Sequence, residues 1–187
     1  CSKRIKTKGG VLKNIEIYDN IVPFTERTTF YTFAQNSLYK IGWADRDEYE
    51  KKPFPCLHCL FSPDDLIKMN ILPFVEKIFN KSKFKKYFPG NTIDKAVLNL
   101  SKPGDIHYNH IHLDRIGILY YINLDWKPEW YGETLFWDKD EKEIIHTSPY
   151  TPGRFIIFDA EKIPHTLRPQ SSIGPAYRFT LSIFLKK

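Results

Sequence analysis

The sequence has no unbroken apolar run of about 18 residues, so no segment of it is expected to span a membrane as a helix. It has little cysteine: three residues, one of them terminal, make no disulfide framework, and a reducing cytoplasm is the expected location. Cys56 and Cys59 do form a C-x-x-C around His58. No second ligand pair follows at zinc spacing and no βαβ setting surrounds it, so buried free thiols are expected. The start, Cys1-Ser2-Lys3-Arg4, lacks both an initiator methionine and an apolar stretch. It therefore reads as a trimmed end and not as a signal peptide. Internal repeats, low-complexity stretches and an obvious linker are also missing, and 187 residues suit one domain.

Aromatic residues are abundant instead, at 16%, and such side chains suit the pleated surfaces of a β-rich core. The net charge of +6 permits an acidic or nucleic-acid partner without demanding one. Its basic clusters, Lys3 to Lys8 and Lys81 to Lys86, read as a solvated tail and a helix end, which supports nucleic acid only weakly.

The first half, about residues 1–94, is expected to be helical support. Short strand content around Val11 to Val22 precedes a helix over Thr25 to Asn36. Phe54 to Phe61 reads as an irregular apolar segment broken by Pro53 and Pro55. Ser62-Pro63-Asp64-Asp65 has the N-cap, N1 proline and acids of a helix start, and Pro73 implies a kink or a break into two helices. From about residue 95 to 187, short apolar runs alternate with turn residues. These are Ala96–Leu100, Gly117–Leu124, Thr134–Trp137, Ile144–Thr147, Arg154–Phe158, His165–Arg168 and Tyr177–Leu185. The whole reads as an α+β chain with a jelly-roll or double-stranded β-helix core.

Five of the six histidines fall in that β half, at 107, 110, 112, 146 and 165. Residues i and i+2 of a strand share a face, so His112 and Asp114 can converge on one ion, with His165 as a third ligand from a distant strand. Two histidines and a carboxylate on one face of an octahedron leave three positions open, which suits Fe(II) with a bidentate cosubstrate and O₂. His110 and His112 also share a face, and Gly104 stands where the cupin pattern G-x5-H-x-H places its glycine. The glutamate a cupin requires is replaced by Ile116 or Gly117. An all-histidine zinc site from His107, His110 and His112 would mix faces.

Several elements in order carry a family resemblance. These are His112-Leu113-Asp114, Leu119-Tyr120-Tyr121-Ile122-Asn123, Tyr131-Gly132-Glu133-Thr134, Pro152-Gly153-Arg154-Phe155-Ile156-Ile157-Phe158, His165, and Arg178-Phe179-Thr180-Leu181-Ser182. Over about residues 95–185 the chain resembles the prolyl 4-hydroxylase-like 2-oxoglutarate/Fe(II) dioxygenases. The resemblance implies iron ligands His112, Asp114 and His165, with Arg178 gripping the distal carboxylate of 2-oxoglutarate. It also implies Tyr121 and Thr180 beside that carboxylate, while Tyr120, of opposite parity, packs into the helical layer. Fe(II), 2-oxoglutarate and O₂ are implied as cofactor and cosubstrates, with ascorbate in support. The implied activity is hydroxylation of a C–H bond, first of a prolyl or other peptidyl side chain. The alternatives are a free amino acid, a small metabolite or a nucleobase as substrate, or a non-catalytic cupin-like binding module.

Three departures from the pattern stand out. His165 and Arg178 are far apart, with Arg168 between them as a competing anchor. Tyr131 replaces the first glycine of the Gly-Gly-Glu turn, and Lys102 stands where a cosubstrate tyrosine is often found, leaving Asn109 and His107 as candidate polar contacts. Residues 24–62 are expected to cover the barrel mouth, with Trp43, Asp45, Arg46, Asp47 and Glu48 as candidate substrate contacts.

Overall fold

The computed structural model describes residues 14–43, 56–88 and 93–187. The basic tail Lys3 to Lys8 and the candidate contacts Asp45, Arg46, Asp47 and Glu48 lie outside these residues, and Trp43 is described only in its backbone.

The chain runs β1 (Ile15–Tyr18), α1 (Phe24–Gln35), β2 (Lys40–Trp43), β3 (Cys56–Phe61), α2 (Pro63–Lys68) and α3 (Leu72–Phe79). It continues through β4 (Ile93–Ser101), β5 (Arg115–Tyr121), β6 (Thr134–Trp137), β7 (Ile144–Ser148), β8 (Phe155–Asp159), β9 (His165–Leu167) and β10 (Arg178–Lys186). Seven strands form a large sheet in the order β1-β8-β5-β10-β4-β3-β2, and three form a small sheet, β7-β6-β9. Every neighbouring pair is antiparallel. A single bridge from His110 to His165 adds the segment before β5 to the edge of the small sheet.

The expected helices form, and the apolar run after Ser62 divides in two. Ser62 accepts from the Asp65 backbone N–H while the Asp65 carboxylate accepts from the Ser62 backbone N–H, a reciprocal cap that starts α2. Pro73 sits in the first turn of α3, where its missing N–H leaves no hydrogen bond unmade. Phe54 to Phe61 departs from expectation, because residues 56–61 form β3. The prolines precede the strand, and Leu57, Cys59 and Phe61 turn one face to the helices while pairing with β4 satisfies the backbone. Cys56 and Cys59 therefore lie on opposite faces, and both are free thiols. The first half thus supplies three strands of the large sheet besides its helices.

Strand alternation divides the protein into two cores. The outer face of the large sheet carries Leu98, Leu100, Ile116, Ile118, Tyr120, Phe179, Leu181 and Ile183 against Phe30 of α1 and Val75 and Ile78 of α3. Tyr120 meets Phe30 edge-on at 5.7 Å, so it does point into the helical layer. The inner face carries Leu119, Tyr121, Ile156 and Phe158 against Phe136 of the small sheet. Each such buried side chain contributes about 1.5–3 kcal/mol. Among the described residues, no helix is long and apolar enough to cross a membrane.

Candidate metal centre and adjoining anion pocket

β10 is buried on both faces, yet it alternates in polarity: Arg178, Thr180 and Ser182 interleave with Phe179, Leu181 and Ile183. The apolar set faces the helices, whereas Arg178, Thr180, Ser182 and Phe184 line a cavity between the two sheets. The same cavity is lined by His110, His112 and His165.

Those three imidazoles converge. Their ring centroids are 4.4 Å apart for His110–His165, 5.0 Å for His110–His112 and 5.4 Å for His112–His165. One ring nitrogen from each falls within 4.8 Å of the others. Backbone pairing holds them there. His110 and His165 exchange both N–H···O bonds, at 3.2 and 3.1 Å, and the His112 N–H donates to Ala160 O at 2.9 Å. His110 Nδ1 donates to the Tyr108 carbonyl at 2.9 Å, because a carbonyl can only accept. This leaves Nε2 as the lone-pair nitrogen. Phe184 packs on His112 at 4.1 Å and Phe158 on His165 at 4.7 Å, fixing the ring planes. Burial, then the neighbouring His110 and His112 rings, pushes His165 well below the ordinary histidine value, so it is neutral, the form that binds metal.

The structure thus brings together His112 and His165 of the expected ligands but puts His110, not Asp114, beside them. Strand parity would bring Asp114 to the face of His112 only if the strand continued to residue 114. In place of a strand, the segment is held by the His110–His165 bridge and the His112 N–H to Ala160, and Asp114 turns with φ 56° before β5 begins at Arg115. Its side chain is 68% exposed, with Arg115 Nη1 at 4.0 Å, and does not join the cluster. The donor set suits a divalent transition metal: three imidazoles of borderline softness on one side, with open positions facing the cavity.

Arg178 is 3% exposed. Its Nε donates to the Gly132 carbonyl at 3.0 Å, and its guanidinium carbon lies 4.7 Å from the Tyr150 ring centroid and 5.5 Å from that of Tyr121. Burial lowers its pKa, and Tyr150, Tyr121 and Glu133 act in the other direction. Among the described residues no carboxylate lies within 4.0 Å of it, so a buried cation faces the cavity in want of an anion. Thr180 stands beside it on the same face. Tyr121 lies behind both. Its hydroxyl donates to Thr134 Oγ1 at 2.6 Å, and its ring stacks on Tyr150 at 4.4 Å. Arg168 lies outside the cavity, 3.5 Å from the Glu133 carboxylate and over the Tyr131 ring at 3.9 Å.

Lys102 is exposed, and the polar β4 residues that line the cavity are Asn99 and Ser101. His107 lines the mouth, with Nδ1 3.7 Å from Cys56 Sγ, while Asn109 is not among the lining residues. In the sequence His110 stood out only in a cupin-like or an all-histidine zinc set, and nothing there gave a role to Tyr150, Asn99 or Ser182. The polar–apolar alternation of β10 was the available signal for Ser182.

No family model matches this chain, and no curated protein does. Solved structures do. The chain is similar to a prolyl 4-hydroxylase of Pseudomonas putida at 14% identity and TM-score 0.66, over 93% of each chain. It is similar to a prolyl hydroxylase from Trichoplax adhaerens, solved in complex with a hypoxia-inducible factor oxygen degradation domain peptide, at 14% identity and TM-score 0.70. That match covers 94% of this chain and 84% of the other. The α-ketoglutarate-dependent epimerase SnoN of nogalamycin biosynthesis matches at 10% identity and TM-score 0.65, over 92% and 78%. With its large and small antiparallel sheets and the site between them, the chain has the double-stranded β-helix fold of the 2-oxoglutarate/Fe(II) oxygenases.

Proposed function

We propose that this protein is a 2-oxoglutarate-dependent Fe(II) oxygenase that hydroxylates a C–H bond of a prolyl or other peptidyl side chain. One observation carries the reading: three convergent imidazoles line the same cavity as a buried guanidinium that has no carboxylate within 4.0 Å among the described residues. His110, His112 and His165 would hold the metal, in place of the acidic set that the resemblance implied. Bound iron would supply the O₂ activation that couples decarboxylation of 2-oxoglutarate to insertion of one oxygen atom into a C–H bond.

The remaining work falls to the protein's own side chains. Three neutral imidazoles leave the full charge of a divalent ion to be met by an anion, and a 2-oxo acid carboxylate is such a donor. Arg178 grips the far carboxylate with a planar, bidentate donor pair, and Thr180 adds a hydroxyl beside it. Phe136, Phe158 and Phe184 exclude water behind the histidines. A peptidyl substrate is supported by the Trichoplax structure, which holds a peptide fragment. The SnoN neighbour is named as an epimerase, so the fold alone does not select the reaction.

The test is succinate release from 2-oxoglutarate with Fe(II) and O₂, followed by mass spectrometry for gain of one oxygen on peptide, amino-acid and nucleobase panels. Product on proline-containing peptides is expected. No succinate under any condition would end the enzymatic reading, and product only on free small molecules would end the peptidyl one.

A further inference from the structure

Ser182 is a hydroxyl where the strand neighbours are apolar. It pairs across β10 with Leu119 on one side and Val97 on the other, and it is 6% exposed. Burying a hydroxyl costs free energy unless it is hydrogen-bonded. Its one protein partner among the described residues is Asn99, whose Nδ2 donates to Ser182 Oγ at 3.1 Å. The same Nδ2 is 3.4 Å from the Val97 carbonyl, which can only accept, and this fixes which way round the amide sits. The Ser182 oxygen is therefore used as an acceptor. Its own proton has no acceptor within the described protein, while both side chains line the cavity.

Position says which part of the cavity this proton serves. Inward-facing residues along β10 run Arg178, Thr180, Ser182, Phe184, about 7 Å apart at each step. Arg178 ends the row at the anion pocket, and Phe184 ends it against the His112 ring. Ser182 thus lies on the histidine side of the row, and Thr180 on the arginine side.

We infer that Ser182 donates a hydrogen bond to the end of the 2-oxo dicarboxylate nearest the histidines, and that Asn99 is a positioning residue that holds the Ser182 hydroxyl in donor orientation. The inference rests on the functional reading above and adds a hydrogen bond from the protein at the end that the metal would hold. A monocarboxylate bound by Arg178 alone would lack it. A charge-assisted bond of this kind corresponds to roughly tenfold or more in affinity.

The test is calorimetric titration of 2-oxoglutarate into Mn(II)-loaded protein, which needs no turnover. Ser182→Ala should weaken binding about tenfold or more, and Asn99→Ala should weaken it less. Because Asn99 acts through Ser182, adding Asn99→Ala to Ser182→Ala should change nothing further. Mn(II) affinity itself should be unaltered in all three variants, a readout that a collapsed site could not preserve. Wild-type-like 2-oxoglutarate affinity in Ser182→Ala, or full additivity of the two substitutions, overturns the inference and leaves the functional reading standing. No 2-oxoglutarate binding by the Mn(II)-loaded wild type overturns both.

Discussion

Replacing His110 by alanine removes one of three donor nitrogens, and two imidazoles do not make a tight divalent site. Metal affinity should fall by more than the ~10–100-fold typical of losing an outer-shell partner, and succinate release should vanish with it. Asp114→Asn provides the contrast. Asparagine tolerates the positive φ of that turn, so only the carboxylate is tested. Metal titration of this variant should give the wild-type affinity. The reverse pattern, with Asp114→Asn losing metal and His110→Ala keeping it, would restore the acidic ligand set that strand parity suggested. Arg178 makes a second residue-scale prediction with two signs. Arg178→Met should weaken 2-oxoglutarate binding by about 100-fold or more, since a buried charged pair loses 3–5 kcal/mol when one partner goes. The ligand-free protein should meanwhile be as stable as wild type or more so, because methionine fills the space without desolvating a cation that, among the described residues, has no carboxylate at ion-pair distance. Arg168→Ala, outside the cavity, should leave 2-oxoglutarate affinity unaltered.

Turns and caps show how the elements hold the site, and where sequence alone misreads it. The His112-x-Asp114 pattern suggested one continuous strand, yet a positive-φ turn over one residue redirects the carboxylate, and periodicity carries no trace of that. The strands of the second half, by contrast, were legible, because turn residues bounded each apolar run; Thr134–Trp137 was placed residue for residue. β3 was not legible, since prolines just upstream of a strand read like prolines within it. The Tyr131-Gly132 turn is the element on which the anion pocket depends. Tyr131 itself adopts φ 57°, and a Cβ at Gly132 would meet Arg178 Cδ and Nε and Trp126 Cζ2, each at 3.2 Å. Gly132→Ala, at φ 80°, should therefore cost about 1–3 kcal/mol in urea denaturation and also weaken 2-oxoglutarate binding, by displacing the guanidinium. At the start of α2, Ser62→Ala removes a cap and should cost about 1 kcal/mol at neutral pH. The Ser62 hydrogen bonds, side chain first and then backbone, hold the Asp65 carboxyl below its usual value. A lowered folded pKa gives stability that is present above the ordinary carboxylate range and lost as pH falls through the folded value. The gap between wild type and Ser62→Ala should accordingly narrow in acid, as denaturation at neutral and acid pH would measure.

Across the whole molecule, the cavity joins two unequal sheets. His165 and the bridged His110 belong to the small sheet, whose outer strand β7 is largely exposed, whereas Arg178, Thr180 and Ser182 stand on the deeply buried β10 of the large one. A metal bound by the histidines and a dicarboxylate reaching from it to Arg178 would tie the sheets together through ligand bonds. Ligands that bind only the folded state stabilise it by about 2.7 kcal/mol at a hundred times their dissociation constant. For a chain of this size that corresponds to a rise in Tm of roughly 5–10 °C. Mn(II) alone should give part of the rise and 2-oxoglutarate the remainder, with chelation reversing both. Arg178→Met should keep the first part and lose the second. The gain should also be local. Hydrogen exchange is expected to slow most at β9 and at the His110–His112 segment, where short pairings are otherwise all that hold the backbone. A metal-dependent Tm shift with no slowing there would place the ion elsewhere on the protein and remove the three histidines as its ligands.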